Sequence, residues 1–185
     1  MPEALNTVSL AEMLGVRPHL SPLLIKARRL GLAPQDLAVL AVQRGCVHYS
    51  SGDEPVVPLA TVEQFTNHEL AMALLSTAMP YDPHSIRCGA AMLNAEGNEP
   101  DRLARLAVME RCVALVRHIA EAGKKFEPEN LFWPRLLAAL PPSAPVKSGV
   151  FPHETRFITM TGFTRRGPGL VTEWQRPRRR QTIPA

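Results

Sequence analysis

The placement of proline and glycine constrains this chain more than any other feature. Pro22, Pro34, Pro83 and Pro100 each stand at the head of an alanine- and leucine-rich run, and Gly15, Gly31, Gly45, Gly97 and Gly123 stand past the ends of such runs. A proline is tolerated in the first helical turn, where its missing N–H would be unpaired anyway, and a glycine relieves the left-handed residue that closes many helices. The punctuation therefore predicts a succession of capped helices separated by tight turns. Alanine and leucine favour helix over strand, and aromatic residues make up only 5% of the chain, so aliphatic side chains and methionine must fill most of the core.

The individual runs carry further signals. Ser9 with Glu12, and Thr66 with Glu69, have capping-box spacing. Ser21 precedes Pro22 and Asp82 precedes Pro83, an N-cap followed by proline in each case. These cues predict helices from Ser9 to Leu14, from Ser21 to Gly31, from Pro34 to Gly45, from Thr66 to Pro80 and from Asp82 to Gly97. The clearest periodicity spans Pro100 to Gly123: Leu103, Leu106, Met109, Val113, Val116 and Ala120 recur at three- and four-residue steps, which predicts one continuous helix about 35 Å long. A last helix, broken or restarted at Pro134, closes the helical part.

Two stretches read differently. Val47 and Tyr49, then Val56 and Val57, flank a turn-rich segment and predict a short hairpin whose second strand sits at an edge, because of Pro55 and Pro58. After a proline-rich linker, Thr155–Phe163 and Gly169–Trp174 predict a second hairpin. The expected fold is mostly α: a helical bundle, with a short helix-hairpin region of winged-helix character at the N-terminus and a C-terminal β-hairpin plus basic arm. The expected divisions are 1–60 for three short helices and a hairpin, 61–140 for the antiparallel bundle, 141–163 for linker and strand, and 164–185 for the arm.

Charge is concentrated at one end. Residues 1–163 hold 15 Lys and Arg against 16 Asp and Glu, whereas residues 164–185 hold six Arg and one Glu. Arg165, Arg166, Arg176, Arg178, Arg179 and Arg180 bracket Trp174. Guanidinium forks match phosphate, and an indole offers a stacking face to an unpaired base. These seven residues are the candidate nucleic-acid-binding set, with an acidic protein surface as the alternative partner for the arm. The helical body would then make protein contacts or self-associate.

Other chemistry is poorly represented. Ala27, Gly31, Leu32, Leu37 and Leu40 match a loose helix-turn-helix, but the positions that would face a DNA groove include Ala38, Val39 and Val42, and Gln35 is the one base-reading side chain among them. A packed helix pair is the better reading. Cys46, His48, His84 and Cys88 could supply a Cys2His2 zinc set, yet their spacing belongs to no zinc motif, and neither metal nor cofactor is expected. His68 opens His-Glu-Leu-Ala-Met, in which Met72 replaces the second histidine of the zinc-protease signature. His118 and Glu121 suit an exposed helical pair. No nucleophile elbow, phosphate loop or dinucleotide fingerprint occurs, and no catalytic residue is nominated; a small enzyme or zinc protein is the weaker alternative. Three scattered cysteines, an N-terminus without a basic leader, and an uncharged run from Leu70 to Tyr81 too short for a bilayer predict a cytoplasmic chain with no membrane partner.

Overall fold

A computed structural model describes residues 8–53, 56–58, 63–161 and 171–178. Within them eight α-helices are followed by one antiparallel strand pair, the mostly α architecture that the capping pattern predicts. Helix α1, Leu10–Leu14, opens with a full capping box in which the Glu12 carboxylate accepts from the Ser9 N–H at 2.7 Å, and it stops at Gly15 with φ 67°. Two of its free N–H groups, on Leu10 and Ala11, donate at 2.8 Å to the carbonyls of Met79 and Thr77. That demand explains why helix α4, Asn67–Leu75, ends well before Pro80: residues 76–79 leave the helix to serve α1.

Helix α2, Pro22–Arg29, and helix α3, Pro34–Gln43, form the helix pair around a left-handed Gly31. Ala27, Leu32, Leu37 and Leu40 are buried as that motif requires, but so are Ala38, Ala41 and Val42. A helix covered on that many sides has no face left for a DNA groove. The predicted hairpin after it is corrected: Val47–Tyr49 forms a single 3-10 turn, and the described residues between Ser50 and Pro58 contain no strand. Pro55 lies outside the described residues. Among the described residues there is therefore no wing.

Helix α4 is the central element. Seven of its nine residues, His68 and Leu70 to Leu75, are buried, as expected for a helix apolar all round. Helix α5, Pro83–Leu93, packs along it, its first turn capped by Asp82, which accepts from the His84 and Ser85 N–H groups. His68 is a structural cap: its Nε2 accepts from the Glu99 N–H at 2.7 Å, at the head of the next helix.

The long helix expected from Pro100 to Gly123 is the second correction. Helix α6 spans Pro100–Met109 and helix α7 spans Val113–Phe126. Between them Arg111 adopts φ 53°, and the Arg111 and Cys112 N–H groups turn back to the carbonyls of Val108 and Ala107. This is a Schellman closure with arginine where glycine is usual. The turn places Glu110 inside the protein, fully buried, with Oε1 accepting from the Leu23 N–H at 2.9 Å. It also shifts the apolar phase, so Met109 is 39% exposed while Leu115, Val116, Ile119 and Ala120 face the core.

Helix α8, Phe132–Ala139, starts two residues before Pro134, within the turn where proline is accepted. A 3-10 turn, Glu154–Phe157, leads into strand β1, Ile158–Thr161, which pairs antiparallel with strand β2, Val171–Trp174, placing Ile158 opposite Trp174 and Thr159 opposite Glu173. This is the predicted C-terminal hairpin. One hydrophobic cluster runs from Leu10 through α3–α8 to Phe157, Ile158 and Trp174, so the hairpin is packed on the helical core.

Candidate functional site

Three of the seven candidate nucleic-acid-binding residues are described, and the structure gives each a different setting. Trp174 is 1% exposed. Its Nε1 donates to the Ala90 carbonyl at 3.1 Å, and its ring lies against Trp133 and Phe157, with centroids 4.7 and 5.6 Å away. No face is left for a base, so its expected stacking role is corrected to that of a core residue. Arg176 holds both oxygens of Glu127. Arg178 is 54% exposed in its side chain, pairs loosely with Glu173 at 3.3 Å, and donates its backbone N–H to the Gly45 carbonyl at 3.0 Å. Arg165, Arg166, Arg179 and Arg180 lie outside the described residues.

Glu127 is the residue that sequence reasoning missed. Besides Arg176 it accepts from the Trp174 N–H at 3.0 Å, the Trp133 Nε1 at 3.2 Å and the Asn130 side chain at 2.8 Å. Burial alone would raise its pKa. The hydrogen bonds from Asn130, Trp174 and Trp133, with the Arg176 charge, outweigh burial and hold it below the ordinary carboxylate value. The segment after β2 is further fixed at Gly45, where φ is 115° and a Cβ would stand 2.2 Å from the Arg178 carbonyl oxygen. Only glycine permits that approach.

Beside this strap opens a polar cleft of about 470 Å³. His48, Tyr49, His84, Arg87, Arg156 and Gln175 line it, with Ser50, Ser51 and Thr155, and no carboxylate is among the described lining residues. The nearby acids are engaged elsewhere: Asp82 caps α5, Glu154 pairs with Lys125, and Glu173 pairs with Arg178. Burial and then the Arg178 charge keep His48 below its ordinary pKa. Two members of the candidate zinc set, His48 and His84, share this cleft; Cys46 and Cys88 are buried. Burial pushes the Cys46 thiol up to about 12, the opposite of what a thiolate ligand needs. Cys88 Sγ lies 3.8 Å from His84 Nε2, and among the described residues no three His, Cys, Asp or Glu side chains are grouped to hold a metal ion. His118 packs its ring on Phe151 at 5.1 Å.

A second, larger groove of about 800 Å³ runs along α2. Its lining is mainly apolar, with Leu24, Ile25, Leu32 and Pro80 among it; Leu20 at its edge is 85% exposed, and Arg28 and Arg29 are exposed beside it. Its described lining also lacks any carboxylate. On its floor His19 Nδ1 meets Thr77 Oγ1 at 3.2 Å, and His19 Nε2 lies 3.8 Å from the buried Glu110. No family model, curated protein or solved structure matches this chain. No helix among the described residues is long and apolar enough to cross a membrane.

Proposed function

We propose that this is a non-enzymatic assembly protein whose helical body seats an amphipathic helix of a partner protein in the groove along α2. The observation that carries the reading is the pairing of an open apolar floor with two exposed arginines, Arg28 and Arg29, and no carboxylate in the lining. An apolar stripe entering the groove would bury Leu20, Ile25 and Leu24, and acidic residues flanking that stripe would meet the arginines. Helix-in-groove recognition needs this combination of a concave apolar surface and a charged rim.

The test uses two labelled amphipathic helical peptides of identical apolar face, one flanked by glutamate and one by lysine. The acidic peptide should bind saturably, and Leu20→Asp or Ile25→Asp should abolish binding without loss of helical circular dichroism, since both side chains are already exposed. Arg28→Glu with Arg29→Glu should reverse the preference. Equal binding of both peptides, or none of either, sinks the reading. Light scattering that shows a concentration-dependent dimer, lost in Leu20→Asp, would make the partner a second copy of this chain.

Phosphate contact by the arm is the second reading, favoured by Arg178, whose side chain is 54% exposed and which is followed in sequence by Arg179 and Arg180. Binding to DNA and RNA should then be sequence-blind and fall steeply with salt, each phosphate neutralised adding roughly 0.7 to 0.9 to the slope of log affinity on log salt. With Trp174 buried and Arg176 paired, the slope should not exceed what the remaining arginines supply. The same affinity in a chain ending at Arg178 would dismiss this reading.

A further inference from the structure

The polar cleft is independent of the groove along α2 and of the peptide it is proposed to hold. Two arginines line it from different elements, Arg87 from α5 and Arg156 from the 3-10 turn before β1. Tyr49 sits between them: the Arg87 Cζ stands 5.7 Å from its ring centroid, and its hydroxyl donates to the Arg156 carbonyl at 3.2 Å. The ring of His84 meets that of Tyr49 edge-on, with centroids 6.1 Å apart. Neither Arg87 nor Arg156 has a carboxylate partner among the described residues. At the cleft wall Arg87 Nε and Gln175 Oε1 are both sealed from water without hydrogen-bond partners, while Gln175 Nε2 is fixed on the Ile158 carbonyl at 3.3 Å. The cleft wall thus carries guanidinium charge that no carboxylate among the described residues offsets, and an anion in the cleft would offset it.

We infer that this cleft binds a phosphomonoester. The phosphate dianion takes the two guanidinium forks, which match its oxygens in both charge and geometry. His48 and His84 line the same cleft and can add donors. A phosphate group alone is too small for a volume of about 470 Å³, so the space beyond the anion accommodates a hydroxyl-bearing carbon skeleton, with Ser50, Ser51 and Thr155 as polar contacts.

The experiment titrates the full chain with inorganic phosphate, ribose 5-phosphate, ribose and acetate, read by calorimetry and by the imidazole resonances of His48 and His84. Ribose 5-phosphate should bind one per chain and shift both imidazoles, inorganic phosphate should bind more weakly at the same place, and ribose and acetate should not bind. Arg156→Gln, at an exposed side chain, should weaken ribose 5-phosphate by roughly tenfold, the loss of one charged hydrogen-bonding partner. Arg87→Gln should do the same with helical circular dichroism retained, and Arg105→Gln, at an exposed position on α6, should leave this affinity alone. Should ribose 5-phosphate fail to saturate, or bind wild type and both variants equally, or bind no better than acetate, the inference is wrong. A 5′-phosphorylated oligonucleotide that binds more tightly than ribose 5-phosphate, and loses that gain as its 5′-hydroxyl form, assigns the phosphate to a nucleic-acid end; no gain assigns it to a small metabolite.

Discussion

Replacing Glu127 with alanine should release the C-terminal strap and take much of the protein's stability with it. The carboxylate receives four donor groups: the Trp133 indole, the Trp174 backbone, the Asn130 amide and the Arg176 guanidinium. Both tryptophans are fully buried, so their N–H groups would be left without acceptors. Each such orphan costs about 1–3 kcal/mol. Arg176 keeps 31% of its side chain exposed and can turn to water, so its loss falls short of the ~3–5 kcal/mol of a broken buried pair. With relaxation the whole comes to about 3–4 kcal/mol, a large fraction of the ~5–15 kcal/mol that holds a typical domain together. Urea unfolding followed by tryptophan emission is the natural assay, because Trp133 and Trp174 are the only tryptophans and both lie at this junction. The variant should show a lower midpoint and a red-shifted folded emission. The carboxyl is held below its ordinary value in the folded state, so its contribution is present above the ordinary 4.5 and lost as pH falls through the folded value. Glu127→Gln should lose that acid-limb slope while costing less at neutral pH. A midpoint change worth under about 1 kcal/mol in Glu127→Ala, with unshifted emission, would refute the assignment of Glu127 as the anchor.

Other outcomes follow from the same geometry. Gly45→Ala should displace the Arg178 backbone and raise amide exchange there, because it sets a Cβ against the Arg178 carbonyl at an unfavourable φ. Gly123→Ala should cost about 1–3 kcal/mol by overpacking, since the new methyl would stand 2.3 Å from the Trp133 ring. Met109→Asp should be tolerated and Ile119→Asp should unfold the protein, a contrast that thermal melts would read and that a continuous helix from Pro100 would not produce. His68 must be neutral to accept from Glu99, and burial followed by the Arg102 charge lowers its pKa. Its contribution is thus complete above the ordinary 6.5 and declines as pH drops below it, a slope that urea midpoints at neutral and mildly acid pH should show and that His68→Gln should flatten.

The features legible in the sequence are those decided within a few residues. Ser9 and Glu12, Thr66 and Glu69, and Asp82 ahead of Pro83 satisfy helix N-termini from their own neighbourhood, so spacing alone locates those starts. The strand pair carrying Ile158 and Trp174 is likewise written in β-branched residues and turn glycines. Polar groups that find partners far along the chain are invisible to such reading. Periodicity runs unbroken through Glu110, because nothing nearby reveals that its carboxylate will cap α2 at Leu23, 87 residues away. Val47 and Tyr49 alternate like a strand, but Tyr49 is claimed by Arg87 and the Arg156 carbonyl, and among the described residues a strand there has no second strand to pair with. The two tryptophans carried one usable signal: in a chain so poor in aromatics, the largest side chains belong in the core before they belong on a surface. Which arginines meet a carboxylate was decided only by tertiary structure, since a guanidinium binds whatever carboxylate the fold brings to it: the fold brought Glu127 to Arg176, and among the described residues it brought none to Arg87 and Arg156 at the cleft.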